Sequence, residues 1–315
     1  MILFPIDELL DEQRCYDYLL NVLHPDGLGC PQGHTLAAQQ QPHDRHRAPV
    51  MDYRCRECGA VFNLFTGTIW SGTRYSCRQI VLIMRGIGQG VPTAHLAKEL
   101  KVDESHLRTV RHEIQQEVER LRPKAKLRDV VVEADELYQN AGEKGKKHDQ
   151  PEDPPRRRAN KVRGHGTWDN DRPPVAGVVG RKSGKVRLHV CHHSDRQTLQ
   201  TFVEIHTRKG CTVNTDEWPA YDHLPENGRG LKQVCHTPGQ REWARDEDGD
   251  GVREVHNNTI EGIWTGLRNF LRPFRGVSKT HLHHYVAVFE WIHNFKEATA
   301  LFLRALMFRF TLKAC

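Results

Sequence analysis

The apolar positions of this chain change period several times, and those changes divide it. Over residues 6–23, Leu9, Leu10, Cys15, Tyr18, Leu19 and Val22 recur at roughly helical spacing, which predicts a short helix. From 28 to 72 the helical period disappears and Cys, His, Gly and Gln dominate. It returns over 78–121, interrupted at Gly88-Gln89-Gly90 and at Val102-Asp103, so three helices separated by two turns are expected, closed by Pro123. Val130-Val131-Val132 opens a β-rich stretch that gives way to a Lys-, Arg- and Pro-rich insertion over 143–174. Strands are expected at 175–179, 186–190 and 212–215, a helix at 198–206, and mostly helix from 259 onward. Short strands followed by helices in the second half predict a mixed α/β domain.

Composition narrows this picture only modestly. A length of 315 residues suits about two domains, and 37% hydrophobic with 27% charged residues describes a globular protein. The net charge of +6 and pI ≈ 8.8 suit a polyanionic partner without requiring one. Residues 1–5 are apolar, but Asp7, Glu8, Asp11 and Glu12 follow at once, which is not the pattern of a secretory signal. The apolar tail 300–310 is broken by Arg304 and Arg309 and is too short for a bilayer, so a core-facing helix is expected there. Nine cysteines, mostly scattered singly, point to a reduced, intracellular protein rather than a disulfide scaffold.

Three cysteines are not scattered. CPQGH (30–34) and YRCRECG (53–59) form two close-spaced knuckles about twenty residues apart, the layout of a tetrahedral structural zinc site. Gly33 and Gly59 would supply the turns. Cys55 and Cys58 are a strong half-site; Cys30 with His34 is weaker, because Gly33 stands where a second ligand usually falls. His24, His43 and His46 are alternative fourth ligands, and free thiols with a surface histidine are the plain alternative.

PTAHLAKELKVDESHLRTVRHEI (92–114) has the layout of a helix-turn-helix. Leu96, Ala97 and Leu100 form one buried face; Asp103 or Ser105 caps a second helix carrying Leu107, Val110 and Ile114 inward. His106, Arg108, Thr109, Arg111 and His112 are expected outward, with Arg108 and Arg111 as candidate DNA contacts. A generic three-helix packing unit explains the apolar positions equally well.

Three acids sit at element edges. Asp135 ends the strand in VVVEADELY, Asp216 ends the strand in CTVNTDEWPAY, and Glu261 begins the helix in HNNTIEGIWTGLRNFLRPF. Hard oxygen ligands of this kind hold the two divalent metals, about 3.5–4 Å apart, that phosphodiester cleavage requires. Each also has a local explanation: a turn at 135, a cap or turn before Pro219, and a capping box between Asn258 and Glu261. On a helical wheel Ile260, Ile263, Trp264, Leu267, Phe270 and Leu271 make one apolar stripe. Glu261, Thr265, Arg268 and Arg272 make the adjoining face, where the arginines are candidate phosphate ligands.

The order CPQGH, YRCRECG, TGTIW, VEADELY, NTDEWPAYDHL and HNNTIEGIWTGLRNFLRPFRGVSKTHLHHYV resembles the zinc-ribbon DDE transposases of bacterial insertion sequences over nearly the whole chain. The resemblance implies a ribonuclease-H-like fold in which Asp135, Asp216 and Glu261 converge on Mg²⁺ or Mn²⁺, with Zn²⁺ held structurally by Cys30, His34, Cys55 and Cys58. It implies cut-and-join chemistry on double-stranded DNA, element ends and target alike, by a homo-oligomer in a synaptic complex. A cytoplasmic, nucleoid-associated location follows. It also places His256 and Asn258 beside the third acid and Arg268 at a basic position. The expected division is an N-terminal helix (1–27), a zinc ribbon (28–72), a helical DNA-binding segment (73–124), a catalytic domain (125–296) with the basic insertion (143–174), and a C-terminal helix (297–315). The sequence departs from the pattern at His34 and in the insertion after Tyr138. That insertion carries Arg156, Arg157, Arg158, Lys161 and Arg163; a flexible basic loop near the site and a solvated loop without function are both consistent with it. A catalytically dead DNA-binding regulator and a repair or junction nuclease are the competing functional readings.

Overall fold

The computed structural model describes residues 11–147, 151–152, 165–237, 239–295 and 300–308. Residues 1–5 and the insertion's Arg156, Arg157, Arg158, Lys161 and Arg163 lie outside the described residues. The chain forms two compact units, one from Met1–Leu121 with Phe295–Cys315 and one from Arg122–Asn294. No helix of the described residues is long and apolar enough to cross a membrane.

In the first unit, α1 (Glu12–Leu23) starts at Asp11, whose carboxylate accepts the Arg14 N–H at 2.9 Å, and buries Cys15, Leu19, Val22 and Leu23. A two-residue hairpin, β1 (Tyr53–Arg54) and β2 (Val61–Phe62), follows. The three expected helices are α2 (Cys77–Gly88), α3 (Thr93–Leu100) and α4 (Glu104–Arg120). Ser76 and Gln79 close a capping box at the start of α2, and Lys101 in the left-handed region ends α3. Asp103 caps α4 by accepting the His106 N–H at 2.7 Å. Leu96, Ala97, Leu107, Val110 and Ile114 are buried, as their spacing predicts, and Arg108 is exposed.

Arg111 corrects the expectation of an outward cation. It is 2% exposed and donates to the Val91 carbonyl, so it supports the helix junction and presents no charge to a nucleic acid. The apolar tail is helical at Ala300–Met307 and buries Leu303, Leu306 and Met307 within the first unit, where Ile69 N–H meets the Met307 carbonyl at 2.8 Å.

The second unit is built on five strands: β3 (Val131–Tyr138), β4 (Pro174–Gly180), β5 (Val186–Val190), β6 (Thr212–Asp216) and β7 (Gly230–Val234). Their spatial order is β5-β4-β3-β6-β7. The first three are antiparallel neighbours, and β6 and β7 run parallel to β3 through crossover connections. That is the strand arrangement of a ribonuclease-H-like sheet, as the resemblance implies. The helix α5 (Arg196–His206) precedes β6; a small hairpin, β8 (Ala244–Arg245) and β9 (Val255–His256), leads into α6 (Asn258–Leu271), then α7 (Lys279–Asn294).

Alternation along the strands separates two cores. Val132 and Ala134 of β3, Ala176 and Val178 of β4 and Val213 of β6 pack with α5 residues Leu199, Phe202 and Val203. Leu137, Val175 and Val179 face the other way, with Ile260, Ile263, Trp264 and Leu267 of α6 and Leu282 and Val286 of α7. Helices cover both faces, so all seven residues of β4 are buried and the strand reads as one apolar run. Glu133, Asp135, Asn214 and Asp216 therefore point toward the α6 side.

The base of the insertion is fastened. Lys279, buried at the start of α7, places Nζ 3.1 Å from Asp171 Oδ1 and 3.8 Å from Glu143 Oε1 and donates to the Trp168 carbonyl at 3.1 Å.

Candidate functional site

Strand β3 runs through Asp135 to Tyr138, so this acid lies within the strand and not at its end, as the sequence suggested. Its antiparallel partner on β4 is Gly177. On the other side, β3 pairs in parallel with β6 through Glu133 and Asn214. Two residues further along each strand, in step, stand Asp135 and Asp216. Asp135 is held well above the usual carboxylate range, by burial first and then by the charges of Glu136 and Asp216. Asp216 is also raised, mainly by burial.

Each acid is oriented by a donor. Trp264 Nε1 of α6 donates to Asp135 Oδ2 at 2.7 Å, and the Trp218 N–H donates to Asp216 Oδ1 at 3.0 Å. The indole reaches Asp135 because Gly177 has no side chain: a Cβ there would sit 2.4 Å from the Trp264 ring. Glu261 lies one helical turn before Trp264, in the first turn of α6, exposed and without a hydrogen bond to its side chain among the described residues.

The helix start differs from the capping box read in the sequence. Its N-cap is Asn257, not Asn258, and no side chain of its own caps it. The cap comes from β3: Glu133, fully buried, accepts the Ile260 N–H at 3.0 Å and the Thr259 hydroxyl at 2.8 Å. Arg181 Nε donates to the same carboxylate at 2.8 Å and also reaches His256. Glu261 is thereby freed from capping duty, which removes its local explanation.

The three acids are not equally gathered. Among the described residues, no set of ligand atoms within 4.8 Å of one another unites Asp135, Asp216 and Glu261. The structure brings the two strand acids together and sets Glu261 on the helix docked to one of them. Glu136, adjacent in sequence, turns to the opposite face. There it accepts from the Tyr221 hydroxyl at 2.9 Å, and burial, then the Asp216 charge, push its pKa up to about 7.

A divalent cation fits this donor set. Two half-buried carboxyls pushed toward neutrality mainly by burial are hard oxygen ligands, and a bound cation would oppose both shifts. Arg268 in the last turn of α6 and Arg272 and Arg275 in the turn that follows line a cleft of about 380 Å³ together with Gln139 and Asn140. None of the three arginines has an ion pair among the described residues. The end of the insertion returns to the other edge of the site, where His165 stacks on Trp218 with 4.3 Å between ring centroids.

In the first unit, Cys30, His34, Cys55 and Cys58 bring their ligand atoms within 4.8 Å of one another. Cys30 Sγ lies 3.5 Å from Cys58 Sγ, and His34 Nδ1 lies 3.5 Å from Cys55 Sγ. Gly33 (φ 88°) and Gly59 (φ 73°) adopt the left-handed region at the turn of each knuckle. Backbone N–H donation from Cys58, the largest influence, brings the Cys55 thiol down to about 6. His34 turns its other nitrogen toward Glu57, 3.7 Å away. The substitute ligands fall away: His24 Nε2 is 3.0 Å from the Leu64 carbonyl, His46 pairs with Asp44, and His43 is outside the cluster.

Sequence reasoning missed Glu133, Arg181, Gly177 and the polar task of Trp264, which it counted only as core. One signal was available. Glu133 and Asp135 alternate in VEADE, so they must share a sheet face.

Comparison with known proteins gives this geometry a family. The model of the ISXO2-like transposase domain, a DDE transposase family, matches residues 126–294, inside the second unit. A protein of Halobacterium salinarum, described as an uncharacterized protein in transposable element ISH50, is 28% identical over 289 residues, covering 91% of this chain and 92% of its own. That relative is archaeal, so no bacterial source follows from the likeness. A chain of the simian T-cell lymphotropic virus intasome aligns at TM-score 0.29 and 12% identity over 53% of this chain and 51%, about half, of its own length. The pre-cleavage Mos1 transpososome aligns at TM-score 0.27 and 12% identity, over 74% of this chain and 77% of its own. Since the family model spans more than half of the 315 residues, the protein belongs to the ISXO2-like DDE transposases.

Proposed function

We propose that Asp135, Asp216 and Glu261 are the three carboxylates of the transposase centre, holding Mg²⁺ or Mn²⁺ for cleavage of DNA at element ends and joining to a target. The observation that carries this is the in-step placement of Asp135 and Asp216 on adjacent strands, with the helix of Glu261 bonded to Asp135 through Trp264. Divalent cations there would activate the attacking oxygen and stabilise the leaving one. Trp264 and the Trp218 N–H fix the carboxyl planes, while Glu261, exposed and unbonded, is able to swing toward the pair. Arg268 and Arg272, with Arg275, would hold phosphates of the same strand at the end of α6 and the turn after it.

The remaining assignments follow from this one. Residues 125–296 form the catalytic domain and 28–72 the zinc ribbon, with Zn²⁺ on Cys30, His34, Cys55 and Cys58; four protein ligands leave no position for substrate, so that site is structural. Residues 73–124 contact double-stranded DNA through the exposed face of α4, Arg108 included, although Arg108 is already paired with Glu104. Arg111 is withdrawn from that role. Two ends must be held together for joining, so the working form is a homo-oligomer in a synaptic complex, acting in the cytoplasm on nucleoid DNA. A catalytically dead DNA-binding regulator draws on one observation, the separation of Glu261 from the strand acids.

A single assay decides. With DNA carrying the element's terminal repeats and Mg²⁺, the wild-type chain cleaves and joins. Asp135→Ala, Asp216→Ala and Glu261→Ala each lower the rate by about 10³-fold or more while binding the same DNA, since metal stabilisation of the transition state contributes several kcal/mol. Retained strand transfer by Asp216→Ala would refute the triad, and inactivity of the wild type would favour the regulator.

A further inference from the structure

Glu133 occupies an expensive position. It is 0% exposed, on the sheet face that α6 covers, and a buried carboxylate costs several kcal/mol unless its oxygens are satisfied. Here they are. Oε1 accepts from Thr259 Oγ1 and Arg181 Nε at 2.8 Å each, Oε2 accepts the Ile260 N–H at 3.0 Å, and His256 Nδ1 lies 3.3 Å from Oε1.

The pattern of these bonds is reciprocal. Asn257, the residue in the N-cap position of α6, leaves the helix uncapped and donates its amide to the Ala134 carbonyl of β3 at 3.2 Å. In exchange β3 caps the helix with Glu133. On the neighbouring strand Asn214, the register partner of Glu133, donates to the Glu254 and His256 carbonyls at 3.3 Å each, just before the helix. The residue two positions before each strand acid is thus bonded to the segment that launches Glu261, and Glu261 follows the capped Ile260 directly.

We propose that Glu133 is a positioning residue: its carboxylate clamps the first turn of α6 to the strands and so fixes where Glu261 stands relative to Asp135 and Asp216. This rests on the reading that those acids form the centre. Glu133 touches no substrate. It acts through the helix start, where a misplacement of about 1 Å can cost about 10²-fold in rate. Replacing the carboxylate by an amide turns one acceptor into a donor aimed at the donors of Ile260, Thr259 or Arg181. The mismatch pushes the helix start away without emptying the space.

The test uses the full-length chain and Mn²⁺ alone, titrated by electron paramagnetic resonance without DNA. Glu133→Gln is expected to weaken Mn²⁺ binding by about tenfold or more, the usual loss when a residue supporting ligands is changed. Thr259→Val, which removes one bond to Glu133, shifts it less in the same direction and serves if Glu133→Gln does not fold. Leu199→Ala, on the opposite face of the sheet, destabilises the unit without moving Mn²⁺ affinity. If Asp135→Asn loses Mn²⁺ while Glu133→Gln and Thr259→Val bind it like the wild type, the clamp is refuted and the acid centre stands. If Asp135→Asn itself binds Mn²⁺ like the wild type, the acid centre fails and the clamp with it.

Discussion

The Cys/His cluster of the first unit and the acid site of the second solve the problem of gathering ligands in opposite ways. In the cluster, each pair of ligands comes from one tight turn, Cys30 with His34 and Cys55 with Cys58, and the side chains already lie within 4.8 Å of one another. Only a small apolar cluster supports it, Cys30, Cys55 and Phe62 with a few half-buried neighbours, too little to hold such a module without a staple. In the acid site, each carboxylate comes from a different element, and Glu261 is separated from Asp135 by 126 positions of sequence. Two cores and a buried polar network hold those elements in place before any ligand arrives. On the proposed reading the cluster would depend on an ion for structure, whereas the acid site is held by its own packing and would take an ion for chemistry.

That contrast can be broken first by removing metal. Chelation, or Cys55→Ser, should strip one zinc per chain and release amide protection throughout 28–72, because binding free energy and folding free energy are the same quantity in such a module. The strands of the second unit should keep their protection under the same treatment. Metal analysis with hydrogen exchange reads both, and loss of protection in β3 on chelation would show that the acid site is not independently built.

A smaller effect sharpens the other half of the comparison. Gly177→Ala places a methyl group 2.4 Å from the Trp264 ring, so the indole must leave Asp135 or the sheet must yield. The expected cost is about 1–3 kcal/mol of stability, as for other overpacked sites, measured by denaturant unfolding. Cleavage should fall further than stability alone explains, since the bond that orients Asp135 is the one displaced. A variant of wild-type stability and activity would mean that Trp264 does not hold the acid.

Much of this was legible in the chain, and what was hidden shares a cause. The knuckles are short-range, so spacing alone named Cys30, His34, Cys55 and Cys58 as a candidate set, and the coordinates gather those four rather than His24, His43 or His46. The helices α2, α3 and α4 announced themselves by period and by the turns between them, with a cap read only for α4. Strand β7 did not, because GLKQV is brief and only half-buried, with no alternation to read. Arg111 was misplaced because a helical wheel assigns faces but cannot see Val91 folding over one of them. Glu133 and Arg181 escaped for a related reason: a buried ion pair joining residues 48 apart leaves no local pattern, and a glutamate in a strand reads as solvent-facing until the covering helix is known. Asn258 was taken for the cap because caps are usually local, and here the cap is 127 residues away from the amide it satisfies.

The most direct test is crystallographic: crystals of the wild-type chain soaked in Mn²⁺ and measured at the manganese absorption edge. Anomalous density is expected between the carboxyls of Asp135 and Asp216, with Glu261 rotated in to complete the set. Density confined to other carboxylates, with Asp135 still bonded to Trp264 and no ion between the two strands, would contradict the assignment of this site as the transposase centre.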